Sequence, residues 1–192
     1  MEITPQVIHC KVKCKTSLAI FHLSYVYAFR TIISRRQLWC DLSNYARHYE
    51  GPWMLLGDFN CVLKDNEKIN GCAVNFYEIK DFLECYLLAS LLDMTSSGCF
   101  FTWTNNSVCS KLDRVLINNC WRIQGFEGQV TFLPRGCLSD HSPTVVSLFQ
   151  QRSIPWSSLS SLICGPSTIS FYQQFVSAGK ANFMGQANLL FA

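Results

Sequence analysis

The sequence predicts an α/β (α+β) fold in one domain that is followed by a tail. Residues 7–12 alternate in polarity, and residues 18–27 are rich in β-branched and aromatic side chains, as strands are. A helical repeat of apolar residues follows, and then a short, fully apolar run at residues 53–57. This strand–helix–strand order implies either parallel pairing of two strands or a crossover between layers.

Two helices are predicted from apolar spacing, and a capping residue is predicted for the first. Thr31 is placed to cap a helix that runs to about residue 49, where Gly51 and Pro52 end it. The apolar face of this helix comprises Leu38, Leu42, Tyr45, Ala46 and Tyr49. A second helix is predicted over residues 76–86, after a polar loop at residues 61–75.

The remaining predicted elements are strands and the turns between them. They are a strand at 100–104, a hairpin turn at 105–107, an answering strand at 112–117, and two further strands at 130–133 and 144–149. The domain is therefore expected to span residues 1–150. Residues 151–192 are rich in Ser and Gln and carry one charge after Arg152, so we expect a poorly ordered tail, with a short helix near residues 171–175.

Composition limits the class of protein. Hydrophobic residues make up 49% and charged residues 15% of the 192 residues, which suits a packed core, and a net charge of +3 is too small to indicate nucleic-acid binding alone. None of the eleven cysteines forms a Cys-x-x-Cys pair, so we expect reduced thiols rather than disulfides or zinc. No signal peptide or membrane helix is predicted, which favours an intracellular protein, and nothing indicates an oligomeric state.

Gly57-Asp58-Phe59-Asn60 leaves the apolar run at 53–57 and is the first candidate site. Asp58 and Asn60 have the same parity, so they point the same way if the strand geometry continues. A carboxylate there can take a proton from water, and an amide can orient that water or a phosphate oxygen. The alternative is an Asp-x-Asn turn that caps its own backbone.

Two later segments supply complementary groups. Asp140 is a hard oxygen ligand suited to Mg²⁺, and His141 can protonate a leaving group or bind a phosphate. The alternative is a Ser-Asp cap of the loop beside an incidental histidine. Asp113 enters an otherwise apolar strand, where a carboxylate is costly without a partner. His141 is the expected partner, and the alternative is a salt bridge to Arg114 or Arg122.

The motifs GDFN, SKLDR and SDHSP, in this order, resemble those of the endonuclease/exonuclease/phosphatase superfamily. Their surroundings (RRQLWCDL, PWMLLGDFNCVL, FFTWTN and DRVLIN) look like the endonuclease region of plant non-long-terminal-repeat (LINE-type) retrotransposons. The resemblance covers about residues 6–149. It implies a four-layer α/β/β/α sandwich, in which helices flank two mixed sheets.

The resemblance also implies roles for six residues. Asp58 would activate the water, Asn60 would orient water and phosphate, and Asp140 would help to hold Mg²⁺, or Mn²⁺ in its place. His141, supported by Asp113, would bind the phosphate in the transition state. Tyr27 matches the family's phosphate-contacting tyrosine.

Members of the superfamily begin with two strands that carry an Asn and a metal-binding Glu, and both precede the position equivalent to residue 6. We therefore expect a partial sandwich and a DNA endonuclease that is weak or inactive, with the nucleus as the compartment that a DNA substrate implies. Two alternatives stay open. One is a non-catalytic nucleic-acid-binding remnant that uses the basic N-terminal strands and Trp103, and the other is a phosphoesterase for a small substrate.

Overall fold

The fold was analysed in a computed structural model, which describes residues 1–14, 19–137, 139–150, 169–176, 180–184 and 189–191. Their strands are, in chain order, β1 (Glu2–Ile3), β2 (Val7–Cys14), β3 (Ile20–Tyr27), β4 (Trp53–Asp58), β5 (Lys68–Ile69), β6 (Leu91–Asp93), β7 (Ser96–Gly98), β8 (Trp103–Thr104), β9 (Cys109–Ser110), β10 (Asp113–Asn118), β11 (Phe126–Phe132), β12 (Thr144–Gln150), β13 (Ile169–Val176), β14 (Lys180–Met184) and β15 (Leu189–Phe191). The helices are α1 (Ile32–His48), α2 (Phe76–Leu88), the short α3 (Asn119–Ile123) and a 3-10 turn at Asp65–Glu67.

These strands form two large mixed sheets and one small sheet. The first sheet has the order β1-β2-β3-β4-β10-β6, and β15 pairs with the other end of β2. Its central pair, β3 and β4, is parallel, and the neighbouring pairs are antiparallel. The second sheet has the order β14-β13-β12-β11-β7, and the small sheet has the order β5-β9-β8. The predicted α/β class with two mixed sheets is confirmed.

Strand β4 explains how the layers stack, because both of its faces are buried. Trp53 and Leu55 pack against the helices, whereas Met54 and Leu56 pack into the core between the two large sheets. Alternation between two buried faces is why this strand is a continuous apolar run in the sequence. Helices, first sheet and second sheet thus form three successive layers among the described residues.

Helices α1 and α2 both begin with a side-chain cap, of which the one at Thr31 was predicted. The Thr31 side chain accepts a hydrogen bond from the Ser34 backbone N–H, and Asn75 caps α2 in the same way through the Glu78 N–H. Their apolar faces meet in a stack of aromatic rings, in which the Trp39 and Phe82 centroids lie 4.6 Å apart. This packing fixes the layer that lies over β3 and β4.

Several predicted elements differ from the structure. Of residues 100–104 only β8 is a strand, and its partner across the turn is the two-residue β9. The strand predicted at 112–117, which was expected to pair with the strand at 100–104, corresponds to β10 and pairs with β4 and β6. The predicted helix near 171–175 is wrong, since these residues belong to β13, which pairs with β12. The tail boundary at residue 150 stays a prediction, because residues 151–168 lie outside the described residues.

Candidate active site

Two aspartates and a tyrosine lie side by side at the ends of three paired strands in the first sheet. Tyr27, the last residue of β3, lies opposite Asp58, the last residue of β4. Asp113, the first residue of β10, lies opposite Asp58 on its other side. Because β10 runs antiparallel to β4, its beginning lies beside the end of β4, and the three residues form one row.

All three side chains belong to the face that looks toward the second sheet. Asp58 has the parity of Leu56 in β4, and Asp113 has the parity of Val115 in β10, and both apolar residues are part of the inter-sheet core. Asp58 is only 3% exposed and Asp113 only 1%. The row therefore lies where the core between the sheets ends and the surface begins.

A glycine lets β4 lie this close to β3. Gly57 has a φ of +138°, and a Cβ atom at this position would lie 2.0 Å from the carbonyl oxygen of Val26. A side chain would separate the two strand ends, so the glycine before Asp58 is required for the row.

Asp58 and Asn60 form both the predicted turn and the predicted pair. The Asp58 Oδ1 accepts a hydrogen bond from the Asn60 backbone N–H at 2.8 Å. The Asn60 amide nitrogen donates to the Ala28 carbonyl at 3.0 Å and to the Asp58 Oδ2 at 3.3 Å. Asn60 has a left-handed φ of +48°, which Asn tolerates better than most residues. With both amide N–H groups engaged, the Asn60 side chain has its oxygen as the group for a ligand.

His141 reaches this row from the loop before β12. Its Nδ1 lies 2.8 Å from the Asp113 Oδ2, as the sequence predicted. The alternative partner, Arg114, extends from the opposite face of β10 and pairs with Glu67 and Asp93. The Asp–His interpretation of Asp113 therefore agrees with the geometry, and the salt bridge to Arg114 does not.

Asp140 is held by Trp103. The indole Nε1 donates to the Asp140 Oδ2 at 2.9 Å, and the Thr104 backbone N–H donates to the Asp140 carbonyl at 3.1 Å. Asp140 is exposed, unlike Asp58 and Asp113. The indole engages one carboxylate oxygen, so the other can serve a ligand.

The buried ionisable side chains shift one another's pKa values. Burial, together with the negative charge of Asp113, raises the pKa of Asp58 to about 7. Burial also raises the pKa of Asp113, against the opposing effect of its hydrogen bond to His141. Burial lowers the pKa of His141, but the hydrogen bond and charge of Asp113, with the charges of Asp58 and Asp140, outweigh it and raise this pKa overall. Asp58 can therefore exchange a proton near neutral pH, and the acidic neighbours of His141 favour the charged form of its ring.

These side chains open into one cleft of about 740 Å³. All the predicted site residues except the fully buried Asp113 line it, namely Tyr27, Asp58, Asn60, Asp140 and His141. Arg30 and Lys68 add positive charge to the wall, and Trp103 adds an aromatic ring. The cleft thus combines acids, a histidine and cations within reach of a phosphate.

The donor set suits a loosely held divalent cation rather than a caged one. The described residues contain no group of three His, Cys, Asp or Glu side chains placed to hold a metal. Asp140 offers one carboxylate oxygen, and Asn60 offers one amide oxygen to a bound water. Mg²⁺ is commonly bound through one or two carboxylates together with substrate phosphates, so the residues fit Mg²⁺ only if substrate shares in binding it.

The other histidines lie in structural surroundings. The His9 Nδ1 lies 2.6 Å from the Ser24 hydroxyl, and the His22 Nδ1 lies 2.7 Å from the Tyr45 hydroxyl. His48 bonds to the Asn44 carbonyl within α1. Cys10, Cys61 and Cys85 are buried thiols. Among the described residues, none of the helices is long and apolar enough to cross a membrane.

Sequence reasoning missed Thr102. This residue is fully buried, and its hydroxyl accepts hydrogen bonds from the backbone N–H groups of Leu112 and Asp113 at 3.0 and 2.8 Å. A threonine in an apolar stretch is ordinary for a strand, so no signal in the sequence distinguished it.

Comparisons with known proteins agree with this fold. The fold is similar to that of a beta toxin from Staphylococcus aureus, with 12% identity, a TM-score of 0.51, and coverage of 76% of this chain and 57% of that one. It is also similar to the 3′ phosphatase NExo from Neisseria, which was solved with a product DNA hairpin, at 18% identity, a TM-score of 0.52, and coverage of 65% and 59%.

At these identities the likeness concerns the fold alone, and the chain spans less than two thirds of each structure. A search among curated protein sequences finds no match. The family model of the endonuclease/exonuclease/phosphatase family matches residues 6–141, a range that contains every predicted site residue. The chain belongs to the endonuclease/exonuclease/phosphatase family.

Proposed function

We propose that the protein is a Mg²⁺-dependent phosphodiester hydrolase of the DNA-endonuclease type, with weak or no activity. The observation that carries the proposal is the His141–Asp113 pair, which lies beside Asp58 at the floor of the cleft. A buried acid and a paired histidine on neighbouring elements are a common arrangement for proton transfer and charge stabilisation.

Each side chain has a role in this reaction. Asp58, whose pKa burial and Asp113 raise to about 7, takes the proton from the attacking water. Asn60 orients that water through its amide oxygen. His141, whose charged form Asp113 favours, neutralises charge on the phosphate, and Tyr27 contacts a phosphate oxygen from the end of β3.

A divalent ion bound with the help of Asp140 would supply further positive charge to the phosphate. We expect the activity to be weak because the described residues offer this ion few ligands. Mn²⁺ should substitute for Mg²⁺, since both prefer oxygen ligands.

DNA is the proposed substrate because the cleft wall carries Arg30 and Lys68 and the ring of Trp103. Cations there can contact phosphates on either side of the scissile bond, and an indole can stack on a base. The motif surroundings support descent from a plant LINE-type retrotransposon endonuclease. A DNA substrate would place the protein in the nucleus.

The test is nicking of supercoiled plasmid by purified, folded protein in Mg²⁺, Mn²⁺ or EDTA. Nicking should require the metal and fall about 10²- to 10⁴-fold in Asp58→Asn and His141→Asn, the range for loss of a proton-transfer group. Asp65→Asn, which removes an exposed acid outside the cleft, is the matched control and should nick normally. Nicking that persists in both site variants would contradict the proposal.

A second candidate is a non-catalytic nucleic-acid binder, which the sparse metal ligands favour. It predicts DNA binding that weakens with salt, survives Asp58→Asn and does not need Mg²⁺. Turnover of a small soluble phosphoester without nicking would instead indicate a small-substrate phosphoesterase.

A further inference from the structure

Thr102 connects the two segments that carry the Asp–His pair. Its hydroxyl oxygen accepts the backbone N–H groups of Leu112 and Asp113, and its carbonyl oxygen accepts the Ser142 backbone N–H at 2.7 Å. One fully buried residue therefore binds the start of β10 on one side and the residue after His141 on the other.

The hydrogen-bonding capacity of a threonine then limits where its proton can go. A hydroxyl has two lone pairs and one O–H group, and the two backbone N–H groups occupy the lone pairs. The O–H group needs an acceptor in a site that water does not reach. An unpaired buried hydroxyl would cost about 1–3 kcal/mol.

Asp113 has an oxygen that lacks a donor. Its Oδ2 is engaged by His141, whereas its Oδ1 is buried and has no hydrogen-bond partner among the described residues at ordinary distances. The Thr102 hydroxyl oxygen lies 2.8 Å from the Asp113 backbone nitrogen, and so beside the carboxyl group of the same residue. The Thr102 O–H group, which needs an acceptor, and the Asp113 Oδ1, which lacks a donor, therefore belong to neighbouring groups.

We propose that Thr102 is a positioning residue, whose hydroxyl donates to Asp113 and fixes the carboxylate with its Oδ2 toward His141. This inference rests on the proposed function for its role in hydrolysis, but the contact itself does not depend on activity. Without the hydroxyl, the carboxylate can rotate and the bond to His141 opens more often.

The test is proton NMR of the His141 Nδ1–H, identified by its loss in His141→Asn, in a series of Thr102 variants. Thr102→Ser keeps the hydroxyl and should keep the resonance. Thr102→Cys, with a weak donor, and Thr102→Val, with none, should broaden it or lose it to exchange with water. Thr102→Cys keeps the series informative if Thr102→Val does not fold.

Ser24→Cys is the matched control. Ser24 is also a buried hydroxyl, but it serves His9 and Trp53, so its substitution tests for general destabilisation. It should leave the His141 resonance unchanged. An unchanged resonance in both Thr102→Cys and Thr102→Val, or an equal loss in Ser24→Cys, would overturn the inference.

DNA-nicking activity provides a second and separate test of the role of Thr102. If the wild type nicks DNA, Thr102→Cys should lower kcat about 10- to 100-fold with little change in KM, as loss of an orienting partner does, and Thr102→Ser should restore it. If the wild type does not nick DNA, the protein has the inactive form of the proposed function, and the NMR series alone decides the role of Thr102. Normal nicking together with an unchanged resonance would refute Thr102 alone.

Discussion

Two clusters of buried charge lie on opposite faces of β10, and they are built differently. On the helix-facing side, Arg114 pairs with Glu67 and Asp93, and Lys111 lies 3.0 Å from Asp93. Two bases thus meet two acids. On the side that faces the cleft, Asp58 and Asp113 share the single His141, with Asp140 nearby. Among the described residues, no lysine or arginine forms an ion pair with these acids, and the salt bridge of His141 reaches Asp113 alone.

The difference separates a structural cluster from a functional one. The Glu67 carboxylate also accepts the Leu63 backbone N–H, so the balanced cluster ties the loop after Asn60 to β10. The unbalanced cluster instead raises the pKa of Asp58 to about 7 and leaves it beside open space. A protein keeps such an unfavourable arrangement where chemistry needs it.

The largest effect is expected from breaking the balanced cluster. Arg114→Met removes a fully buried cation and leaves Glu67 buried without its partner. We expect a loss of about 3–5 kcal/mol in the free energy of unfolding, which urea denaturation would measure. A loss below about 1 kcal/mol would show that this cluster does not hold the loop.

Asp58→Asn, unlike Arg114→Met, is expected to increase the free energy of unfolding at high pH. A carboxyl whose pKa is raised in the folded state contributes most stability below its unfolded pKa, and that contribution is lost as the pH rises toward the folded pKa. The contribution of Asp58 to the free energy of unfolding should therefore fall progressively as the pH rises from about 4 to about 7.

Asp58→Asn should accordingly raise the free energy of unfolding by about 2–4 kcal/mol at pH 8 relative to its effect at pH 4. Thermal denaturation at both pH values measures the difference, with Asp65→Asn as an exposed control that should show none. An effect of Asp58→Asn that is the same at pH 8 and at pH 4 would mean that the pKa of this acid is not raised in the folded protein.

A smaller loss is expected for His141→Asn. This change removes the hydrogen bond to the Asp113 Oδ2 and leaves a buried carboxylate poorly satisfied, at a cost of about 1–3 kcal/mol at pH 8. Chemical denaturation of the single variant and of the double variant with Asp58→Asn would show whether the two positions couple. Strict additivity would argue that the cluster is not a unit.

The smallest effect is expected at the exposed end of the balanced cluster. Lys111 pairs with Asp93, whose side chain is 35% exposed, so solvent screens the pair. Lys111→Met should change the free energy of unfolding by no more than about 1 kcal/mol. A loss as large as that of Arg114→Met would show that charge balance matters more than burial.

The sequence predicted the elements that local patterns define. Helix α1 follows from its apolar face and from Thr31, and β4 follows from its apolar run. The pairing of β10 with β4 does not follow from any local pattern, because these strands are distant in the chain and only the packed sheet sets their register. The mistaken helix near residue 171 is a case in which pairing with β12 overrode a weak pattern.

The site residues were predictable because their chemistry is unusual for their positions. Asp58 and Asp113 are carboxylates at the ends of apolar strands, and the geometry brings both to one cleft with His141. Thr102 and the Glu67–Arg114 pair were not predicted, since no local pattern distinguishes Thr102 or indicates which acid pairs with Arg114. Their importance arises only from partners that folding brings close.

The pKa of Asp58 tests the contrast between the two faces of β10 most directly. It can be measured in metal-free protein from the carboxyl carbon chemical shift as the pH is varied, with Asp58→Asn to identify the signal. The structure predicts titration at about pH 7. Titration near 3.9, the ordinary value for an aspartate, would contradict the account, because the cleft would then hold no carboxyl group with a raised pKa.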